Sequence, residues 1–487
     1  MIKILIIGCG PHATHFYLPS LFAMIKEGRP LAVAGVLDIL PQKDFILNEL
    51  SMREFPVKSW FVEPFSGDTL SAETEKLLNH LVDSGEVNAV IVSTDPLNHV
   101  SYARWALSRQ LPLLMDKPVS TCENAISDLS QAQKIASDYE MLLRQYRQIR
   151  QSHRPPFILC AHRRYHPGIL EVRRIIAEVS RKTGCPVTNI RSMHADGQWR
   201  LPHEIITQKH HSYNQGYGKV SHSGFHFIDC VSEFWKEGLD GSGKRADEVR
   251  VFSSFVRAAG LLKQLTREDY CRLFPEYSGS CPESDCQLEQ KFMQCGEIDA
   301  DISMTMCADK TPFSMASIVL LHNSYSQRSW LEPNRDLYKG NGRVKHEEHS
   351  VNIGPFLNIQ VHSYQSKDLH YVCNEDDEQP GGNNHFELYI FRNTRMIGGK
   401  PFERVALKDI ANAKFLNSES LFITQIKNQC IIEWLDAISN AKPYDPKMLS
   451  AFWDHQMSVR LMSAIYQSYC CQEISRNPII SVPWSFI

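Results

Sequence analysis

The chain has 487 residues and a formal net charge of −3, with 43% hydrophobic and 22% charged residues. This length has room for two or three domains, and the composition is that of an ordinary globular protein. The nearly balanced charge and the lack of a Lys/Arg block exclude a general electrostatic reason to expect nucleic acid. No apolar run reaches the roughly 18 residues that a membrane span needs, so no membrane partner is expected.

The opening MIKILIIGCG is apolar but runs directly into a glycine turn, as a first strand does rather than a signal peptide. Fourteen cysteines are scattered along the chain, and the densest group, from Cys271 to Cys307, contains no Cys-x-x-Cys pair. Zinc sites commonly carry such pairs, so no metal is expected from the cysteines. Scattered thiols are typical of a reducing compartment, and we therefore expect a cytoplasmic protein.

Residues 2–160 alternate short apolar runs with amphipathic stretches, the pattern of a parallel sheet flanked by helices. Both faces of such strands are covered, which explains why they are apolar throughout. The predicted strands are Lys3–Ile7, Leu31–Leu37, Ala89–Ser93, Leu113–Met115 and Phe157–Cys160. The predicted helices include His99–Ser108 and Cys122–Arg147. Residues 1–160 are therefore predicted to form a doubly wound α/β domain.

After residue 161 the strand-like runs approach alternation of apolar and polar residues, as expected of a sheet with one covered and one open face. The predicted strands lie at 248–256, 301–306, 316–321 and 356–364. The predicted helices are Gly168–Ser180, Phe422–Ala441 and Lys447–Tyr469. The turn-rich segments 257–296 and 322–352 are interpreted as insertions or long loops. Residues 161–487 are therefore predicted to form a larger α+β domain.

The first strand leads into GCGPHA, a G-x-G-x-x-A pattern that opens a helix. Gly8 would allow the tight turn, Gly10 the close approach of a pyrophosphate, and Ala13 a close contact of helix and sheet. The phosphates would lie on backbone N–H groups at the helix N-terminus, in the turn that holds Pro11 and His12. The pattern predicts a dinucleotide-binding site.

Asp38 ends the second predicted strand. A carboxylate there can accept hydrogen bonds from a ribose 2′-hydroxyl and would repel a 2′-phosphate, which favours NAD over NADP. The nearby Lys43 would soften that discrimination. The alternative is that Asp38 simply starts a turn.

Two further loops follow strands of the predicted sheet, where the carboxyl ends of parallel strands form the ligand-binding edge. TDPLNH follows the strand that ends at Ser93, and Asp116-Lys117-Pro118 follows LPLLM. The alternative for Lys117 is a solvated surface lysine. The residues predicted to contact the cofactor from these loops are Thr94, Pro96, Asn98, His99, Asp116 and Lys117.

KVSHSGFHFID places His222 and His226 four residues apart, about one helical turn. The spacing alone allows a metal site, a catalytic face or two core histidines. A metal site would need a further ligand, with His210, His211 or Asp229 available, and no glutamate accompanies the pair as in the zinc-protease motif.

At this point the chain resembles the Gfo/Idh/MocA family, which is named for glucose–fructose oxidoreductase and inositol dehydrogenase. The resemblance covers most of the chain in order and rests on GCGPHA, NAVIVSTDPLNH, MDKPVS in place of the family's Glu-Lys-Pro, AHRRYHPG, GYGKVSHSGFHFID and IIEWLDAISNAKP. It implies a Rossmann domain joined to an α+β domain with an open, mostly antiparallel sheet that often mediates oligomers, here a homodimer or tetramer. Family members use NAD(P) to oxidise or reduce a secondary alcohol or ketone of a sugar, cyclitol or similar small molecule.

The resemblance also implies roles for three residues. Lys117 matches the lysine that helps polarise the reacting oxygen, and His226 matches the usual acid/base. His222 stands where the family has an aspartate, so it brings no fixed negative charge to stabilise an imidazolium at residue 226. Histidine exchanges a hydroxyl proton near neutral pH, and a cation favours a developing alkoxide, so the chemistry agrees with the first two assignments.

Polar residues crowd the stretch before the paired histidines: His194, Asp196, Trp199, Arg200, His203, His210 and His211. This density is typical of a polar substrate cleft, in which Trp199 would stack on a sugar-like ring and Arg200 would bind an anion or hydroxyls. Arg163, after the last Rossmann strand, could line the same cleft, as could His222. The alternative is a polar surface loop.

Three functions stay open. The first is an NAD(P)-dependent oxidoreductase acting on a sugar, amino sugar, cyclitol or imine. The second is an NAD-assisted glycosidase, in which the cofactor is recycled. The third is a nucleotide-sensing regulator that has lost catalysis. Lys117 with His226 favours chemistry, and His222 favours the regulator less strongly.

Overall fold

A computed structural model describes residues 1–53, 55–65, 67–208, 211–330, 342–367, 379–382, 384–410, 422–440 and 448–485. The strands within these ranges are β1 (Ile2–Ile7), β2 (Leu31–Ile39), β3 (Lys58–Val62), β4 (Ala89–Val92), β5 (Leu113–Met115), β6 (Phe157–Leu159), β7 (Asn189–Ala195), β8 (Glu248–Arg257), β9 (Glu297–Ala308), β10 (Thr311–Leu321), β11 (Arg343–Ile353), β12 (Leu357–Lys367), β13 (Glu387–Arg392), β14 (Phe402–Ala406) and β15 (Ile480–Pro483).

The α-helices of the same ranges are α1 (Leu18–Lys26), α2 (Lys43–Met52), α3 (Ala72–Asp83), α4 (His99–Ser108), α5 (Leu129–Gln148), α6 (Pro167–Thr183), α7 (Pro202–Thr207), α8 (Phe225–Ser242), α9 (Leu261–Gln264), α10 (Arg267–Leu273), α11 (Tyr277–Ser280), α12 (Asp285–Phe292), α13 (Thr394–Ile397), α14 (Leu407–Ile410), α15 (Phe422–Ser439) and α16 (Gln456–Glu473). None of these helices is both long and apolar enough to cross a membrane.

The chain divides into two compact units. The first consists of Met1–Thr121, Ala136–Tyr165 and Glu419–Gln456, and the second of Cys122–Ile135, His166–Ser418 and Met457–Ile487. The sequence analysis predicted residues 419–456 within the second domain. Their helix α15 instead contributes Ile431, Trp434 and Leu435 to the core that also holds β1 and α1, since burying this apolar side stabilises the first unit.

The first unit contains a six-stranded sheet in the order β3-β2-β1-β4-β5-β6, and all five pairings are parallel. This order is that of dinucleotide-binding Rossmann domains, with the switch point between β1 and β4. The predicted fold class is thus confirmed for the N-terminal part. The five predicted strands are present within one or two residues of their predicted ends, and β3 was missed.

The second unit is built on a nine-stranded sheet in the order β14-β13-β12-β11-β7-β10-β9-β8-β15. Only β7 and β10 pair in parallel, and the remaining pairings are antiparallel. The burial of β9 and β11 largely alternates along each strand, and helices α6 and α8 pack on strands of this sheet. The mostly antiparallel sheet with one covered face confirms the second half of the predicted fold.

Four predicted segments differ from the structure. The last predicted helix, Lys447–Tyr469, begins later, because residues 448–455 form turns and a 3₁₀ segment before α16 starts at Gln456. Residues 122–128 are not helical, because the backbone N–H groups of Asn124 and Ile126 donate instead to the carbonyls of Gln215 and Gly216. Segment 257–296 is not a loop but carries helices α9 to α12, which share a hydrophobic cluster with Leu201, Ile205 and Tyr213. In segment 322–352, residues 331–341 lie outside the described residues, and 343–352 belong to strand β11.

Candidate active site

The glycine turn after β1 is closed by backbone contact. Gly8 has a φ of +89°, and an added Cβ would lie 2.5 Å from the carbonyl carbon and oxygen of Ser93. Nothing lies within 4 Å of a Cβ added at Gly10. Ala13, fully buried, begins a π-helical turn, Ala13–Tyr17, that leads into α1. Gly8 is therefore required by the loop itself, and the open space at Gly10 fits the close approach of a phosphate.

Asp38 ties the second strand to this turn. Its Oδ2 accepts the Cys9 N–H at 2.6 Å and its Oδ1 accepts the Ile39 N–H at 2.7 Å. Burial raises the pKa of Asp38, opposed by these two hydrogen bonds. A carboxylate oxygen can accept more than one hydrogen bond, so both oxygens keep capacity for a ribose hydroxyl. The carboxylate fits the predicted position for a dinucleotide ribose.

Asp116 joins the loops that follow three strands. Its Oδ2 accepts from Ser93 Oγ at 2.6 Å and contacts His12 Nδ1 at 2.9 Å, and its Oδ1 accepts from Tyr17 Oη at 2.6 Å. Burial opposes ionisation, but His12 and the hydrogen bonds from Ser93 and Tyr17 hold the pKa of Asp116 well below its usual value. The ionised carboxylate fixes the segment that continues into Lys117, which is half-buried.

His12 stands between Asp116 and a lysine that the sequence analysis missed. Lys427 of α15 places Nζ 3.3 Å from His12 Nε2 and 5.2 Å from the centre of the Phe16 ring. Burial lowers the pKa of His12 despite the neighbouring carboxylate. The two contacts fit a neutral imidazole that donates from Nδ1 to Asp116 and accepts at Nε2 from Lys427. No short motif marks Lys427, because more than 400 positions separate it from the glycine turn.

The loop after β4 is ordered by its own hydrogen bonds. Asp95 Oδ1 accepts the Leu97 N–H at 3.0 Å, which starts a 3₁₀ turn over Pro96–Asn98. Thr94 and Asn98 are half-buried. His99 is fully buried, and its Nδ1 and Nε2 lie 2.7 Å from the Pro118 carbonyl and 3.2 Å from the Thr94 carbonyl. His99 therefore braces the two loops, and any contact of it with a cofactor stays a prediction.

In the second unit, the glycine-rich stretch leads into a π-helical turn, Val220–Gly224, and then into α8. His222 lies in the π-helical turn and His226 in the first turn of α8, with exposures of 6% and 3%. The spacing predicted one regular helical turn, but the pair spans a change from π to α geometry. The His222 ring lies 5.0 Å from His211, 5.2 Å from Tyr213 and 5.5 Å from Tyr217, between ring centres.

A buried carboxyl group supports this π-helical turn from behind. Glu297 Oε1 accepts the Val220 N–H and the Tyr466 hydroxyl, each at 2.8 Å, and Tyr466 in turn lies 2.9 Å from Ser221 Oγ. Gly218 is needed beside it, because a Cβ there would lie 2.1 Å from the Glu297 carbonyl oxygen. Burial raises the pKa of Glu297 to about 7. Glu297 begins β9, and no motif in the sequence marks it as a partner of the π-helical turn.

A cluster of charged residues centred on Asp196 lies in the same unit. Lys219, fully buried, donates to Asp196 Oδ2 at 2.5 Å. Arg343 Nη2 and His194 Nε2 lie 3.0 and 3.2 Å from Asp196 Oδ1. Burial lowers the pKa of Lys219 to about 8, although Asp196 opposes this shift. Lys219 and Arg343 were missed, though Lys219 sits within the quoted glycine-rich stretch.

The predicted substrate residues have different surroundings. Trp199 packs on Phe274, the residue that follows α10, with 5.2 Å between ring centres, and its stacking on a substrate stays a prediction. Arg200 is buried and donates to Gln198 Oε1 at 2.8 Å. Arg163 is buried in a 3₁₀ turn of the first unit.

For the metal alternative, Asp229 is held by Ser458, whose hydroxyl donates to Oδ1 at 2.7 Å, and His210 lies outside the described residues. The described ranges contain no group of three or more His, Cys, Asp or Glu side chains placed to hold a metal ion.

Residues 2–144 match the family model described as "Oxidoreductase family, NAD-binding Rossmann fold", GFO_IDH_MocA. This match confirms the predicted resemblance to the Gfo/Idh/MocA family for the N-terminal part of the chain. No curated protein matches the sequence.

Solved structures are similar over 99% of this chain. Levoglucosan dehydrogenase, in complex with NADH and levoglucosan, has a TM-score of 0.57 and 11% identity over 99% of its own chain. Aldose-aldose oxidoreductase from Caulobacter crescentus, complexed with glycerol, has a TM-score of 0.55 and 12% identity over 99% of its chain. An oxidoreductase from Agrobacterium radiobacter, in complex with NAD+, L-tartaric acid and magnesium, has a TM-score of 0.53 and 13% identity over 98% of its chain. At these identities the likeness establishes the fold.

Substitutions at Gly8 and Gly10 distinguish the packing of the loop from the space that a ligand needs. Gly8→Ala is expected to lower the unfolding temperature by several degrees, because a left-handed Ala costs about 1–2 kcal/mol before the clash with Ser93 is counted. Gly10→Ala is expected to leave that temperature within about 2 °C yet weaken NADH binding about tenfold or more. Thermal unfolding and NADH fluorescence titration measure both. Equal effects of the two variants on stability would contradict this interpretation.

The raised pKa of Glu297 predicts that the stability of the folded protein depends on pH. Its folded pKa of about 7 lies above the ordinary value of 4.5, so its contribution is fully present below pH 4.5 and is lost as the pH rises through about 7. The loss is up to about 3 kcal/mol, at 1.4 kcal/mol per pKa unit. The unfolding temperature of Glu297→Gln relative to the parent protein should therefore rise between pH 5 and about 8. The exposed Glu268→Gln is the matched control, and parallel curves for all three proteins would refute the assignment.

Proposed function

We propose, from the match of residues 2–144 to the NAD-binding domain of Gfo/Idh/MocA oxidoreductases, that the protein is an NAD(P)-dependent dehydrogenase or reductase. It transfers a hydride between the nicotinamide and a secondary alcohol or ketone of a sugar, amino sugar or cyclitol-like molecule. The sugar-like class is supported by the levoglucosan and aldose names of two structurally similar proteins. We further propose a cytoplasmic homo-oligomer, a dimer or tetramer.

The observation that carries this proposal is the glycine turn. Gly8 is held against the Ser93 backbone, and the space over Gly10 is open. Asp38 holds the same turn by accepting the Cys9 N–H. Backbone N–H groups of Gly10, His12 and Ala13 would bind the pyrophosphate together with the N-terminus of the first helix. These residues fit a dinucleotide, whose nicotinamide, when bound, accepts or supplies the hydride.

Lys117 and His226 are proposed to act on the substrate oxygen. The Lys117 ammonium would donate a hydrogen bond to that oxygen and favour the alkoxide that develops as the hydride leaves. An imidazole nitrogen of His226 would take the hydroxyl proton during oxidation and return it during reduction. His222 would orient the substrate or relay the proton, with Tyr213 and Tyr217 restricting its ring. Trp199, Arg163 and Arg200 are proposed as substrate contacts.

NAD is proposed as the preferred cofactor. The Asp38 carboxylate would accept hydrogen bonds from the ribose 2′-hydroxyl, and its negative charge would repel the 2′-phosphate of NADP. The hydrogen bonds to Cys9 and Ile39 orient it in advance. Lys43 begins α2 and is exposed, so solvent would screen its attraction for a phosphate.

Catalytic variants test the reaction. The full-length protein with NAD is expected to oxidise at least one member of a panel of polyols and sugars, followed by NADH absorbance. His226→Asn and Lys117→Gln should each lower kcat/KM by about a hundredfold or more, since general acid–base catalysis and a single donor to a developing oxyanion each contribute at least that much. His226→Asn should leave the affinity for NADH within about threefold of the parent value, because His226 is proposed to contact the substrate and not the cofactor.

The exposed His153→Asn is the matched control and should retain full turnover. Cleavage of aryl glycosides without net NADH formation would replace the dehydrogenase with the NAD-assisted glycosidase. Tight NADH binding without turnover and without glycoside cleavage would replace the dehydrogenase with the nucleotide-sensing regulator.

Cofactor preference is tested at Asp38. Asp38→Asn keeps an oxygen that can accept the Cys9 N–H but removes the charge. The ratio of NADPH to NADH dissociation constants should therefore fall about tenfold, equivalent to about 1.4 kcal/mol. Fluorescence titration of both nucleotides measures the ratio. Lys43→Gln should move it slightly in the opposite direction, and an unchanged ratio in Asp38→Asn would assign the carboxylate to loop structure alone.

A further inference from the structure

Arg200 is a buried cation with an incomplete set of partners. Arg200 is 7% exposed. Its Nη2 donates a hydrogen bond to the neutral amide oxygen of Gln198 at 2.8 Å. Its Nε–H is buried and has no acceptor among the described residues. A buried guanidinium is normally compensated by an anion. Within the described part of the chain, its side chain donates one hydrogen bond, and that bond goes to an uncharged group.

The nearby carboxylates are already engaged by other donors. Asp196 accepts from Lys219 and Arg343. Glu204 is held by both terminal nitrogens of Arg328, at 2.6 and 2.9 Å.

A third carboxylate, Asp299, accepts the His322 backbone N–H at 2.7 Å. The pKa of His322 responds to the charge of Arg200 after burial, which places the two side chains in one electrostatic environment. None of the three carboxylates is recorded within hydrogen-bond distance of Arg200 in the described ranges. Arg200 therefore has no hydrogen-bonded anion among the described residues.

Two more buried nitrogens beside Arg200 lack a partner among the described residues: Gln198 Nε2 and His322 Nε2. Gln198 is 3% and His322 1% exposed. The other ring nitrogen of His322 lies 3.2 Å from the Tyr213 hydroxyl, so Nε2 carries the proton when that hydroxyl donates. The N–H groups of Gln198 Nε2, Arg200 Nε and His322 Nε2 therefore form a set of buried donors without acceptors among the described residues.

This donor set adjoins the predicted catalytic histidine. The Tyr213 ring lies 5.7 Å from the His322 ring and 5.2 Å from the His222 ring, between ring centres. Tyr213 belongs to the hydrophobic cluster of the inserted helices, which holds it in place. Tyr213 therefore connects His322 of the donor set to His222.

We propose that Arg200, with Gln198 and His322, binds an anionic group of the substrate, so that the substrate is an acidic sugar or polyol carrying a carboxylate or a phosphate. This inference rests on the proposed function, because it names the substrate class of that same site. The guanidinium would supply the Nε–H and one terminal N–H to two oxygens of the anion, the paired geometry that arginine offers and lysine lacks. The sugar hydroxyl that reacts would then lie on the side of His222 and His226.

The test uses the full-length protein saturated with NADH and isothermal titration with D-glucuronate, D-glucose 6-phosphate and uncharged D-glucose. At least one acid should bind about tenfold or more tightly than D-glucose, and that difference should vanish in Arg200→Gln. The acid that binds identifies the carboxylate or the phosphate as the source of charge. Arg191→Gln, on the exposed side of β7, should leave all affinities unchanged.

A second measurement covers the case in which Arg200→Gln does not fold. Inorganic phosphate should raise the unfolding temperature of the parent protein above that in chloride of equal ionic strength. Arg200→Lys, which keeps the charge but loses the fork, should reduce this rise by about half or more. Equal affinity for both acids and glucose overturns the anion site, whereas no response to phosphate excludes a phosphate as its ligand and leaves the carboxylate. Failure to bind NADH overturns the proposed function instead, and the NADH titration reports that separately.

Discussion

The first unit depends on the ionised carboxylate of Asp116. Three side chains from two other segments, His12, Tyr17 and Ser93, contact its two oxygens at 2.6–2.9 Å. A buried carboxylate is costly unless it is hydrogen-bonded, so these segments must converge for the charge to be tolerated. The glycine turn, the end of β4 and the residue before Lys117 are consequently fixed as one group at the carboxyl edge of the sheet.

The second unit uses the same physical solution with different residues. Asp196 is held by Lys219 and Arg343, and Glu204 by Arg328, whose Nη1 also donates to the Trp199 carbonyl at 2.7 Å. These three ion pairs, at the two carboxylates, fix the two ends of the segment that carries Trp199 and Arg200. Removing one partner of such a pair leaves a buried charge and costs about 3–5 kcal/mol. Many of the polar side chains in this stretch of the sequence are therefore held in ion pairs that stabilise the fold. A small number of the remaining polar groups are available to bind a ligand.

The sequence predicted the parts of the structure that local chemistry dictates. The apolar strands of the first unit, the turn at Gly8 and the carboxylate of Asp38 follow from short patterns with one physical solution. Helices α9 to α12 were missed because each is short, at four to eight residues, and their stability comes from a shared cluster rather than from periodicity. Lys427, Arg343 and Glu297 were missed because their partners are remote in the chain, and pairing over such distances leaves no local signal.

Both glycine-rich segments lead into a π-helical turn, at Ala13–Tyr17 and at Val220–Gly224. Such a turn contains one residue more than α-helical geometry accommodates. Deleting Ser223 would leave His222 and His226 three residues apart on a regular helix, about 300° around its axis at about 100° per residue, instead of four residues apart across the change from π to α geometry. The surplus residue thus sets the angular register between the two histidines, so the length of this segment is as strictly constrained as the identity of its side chains.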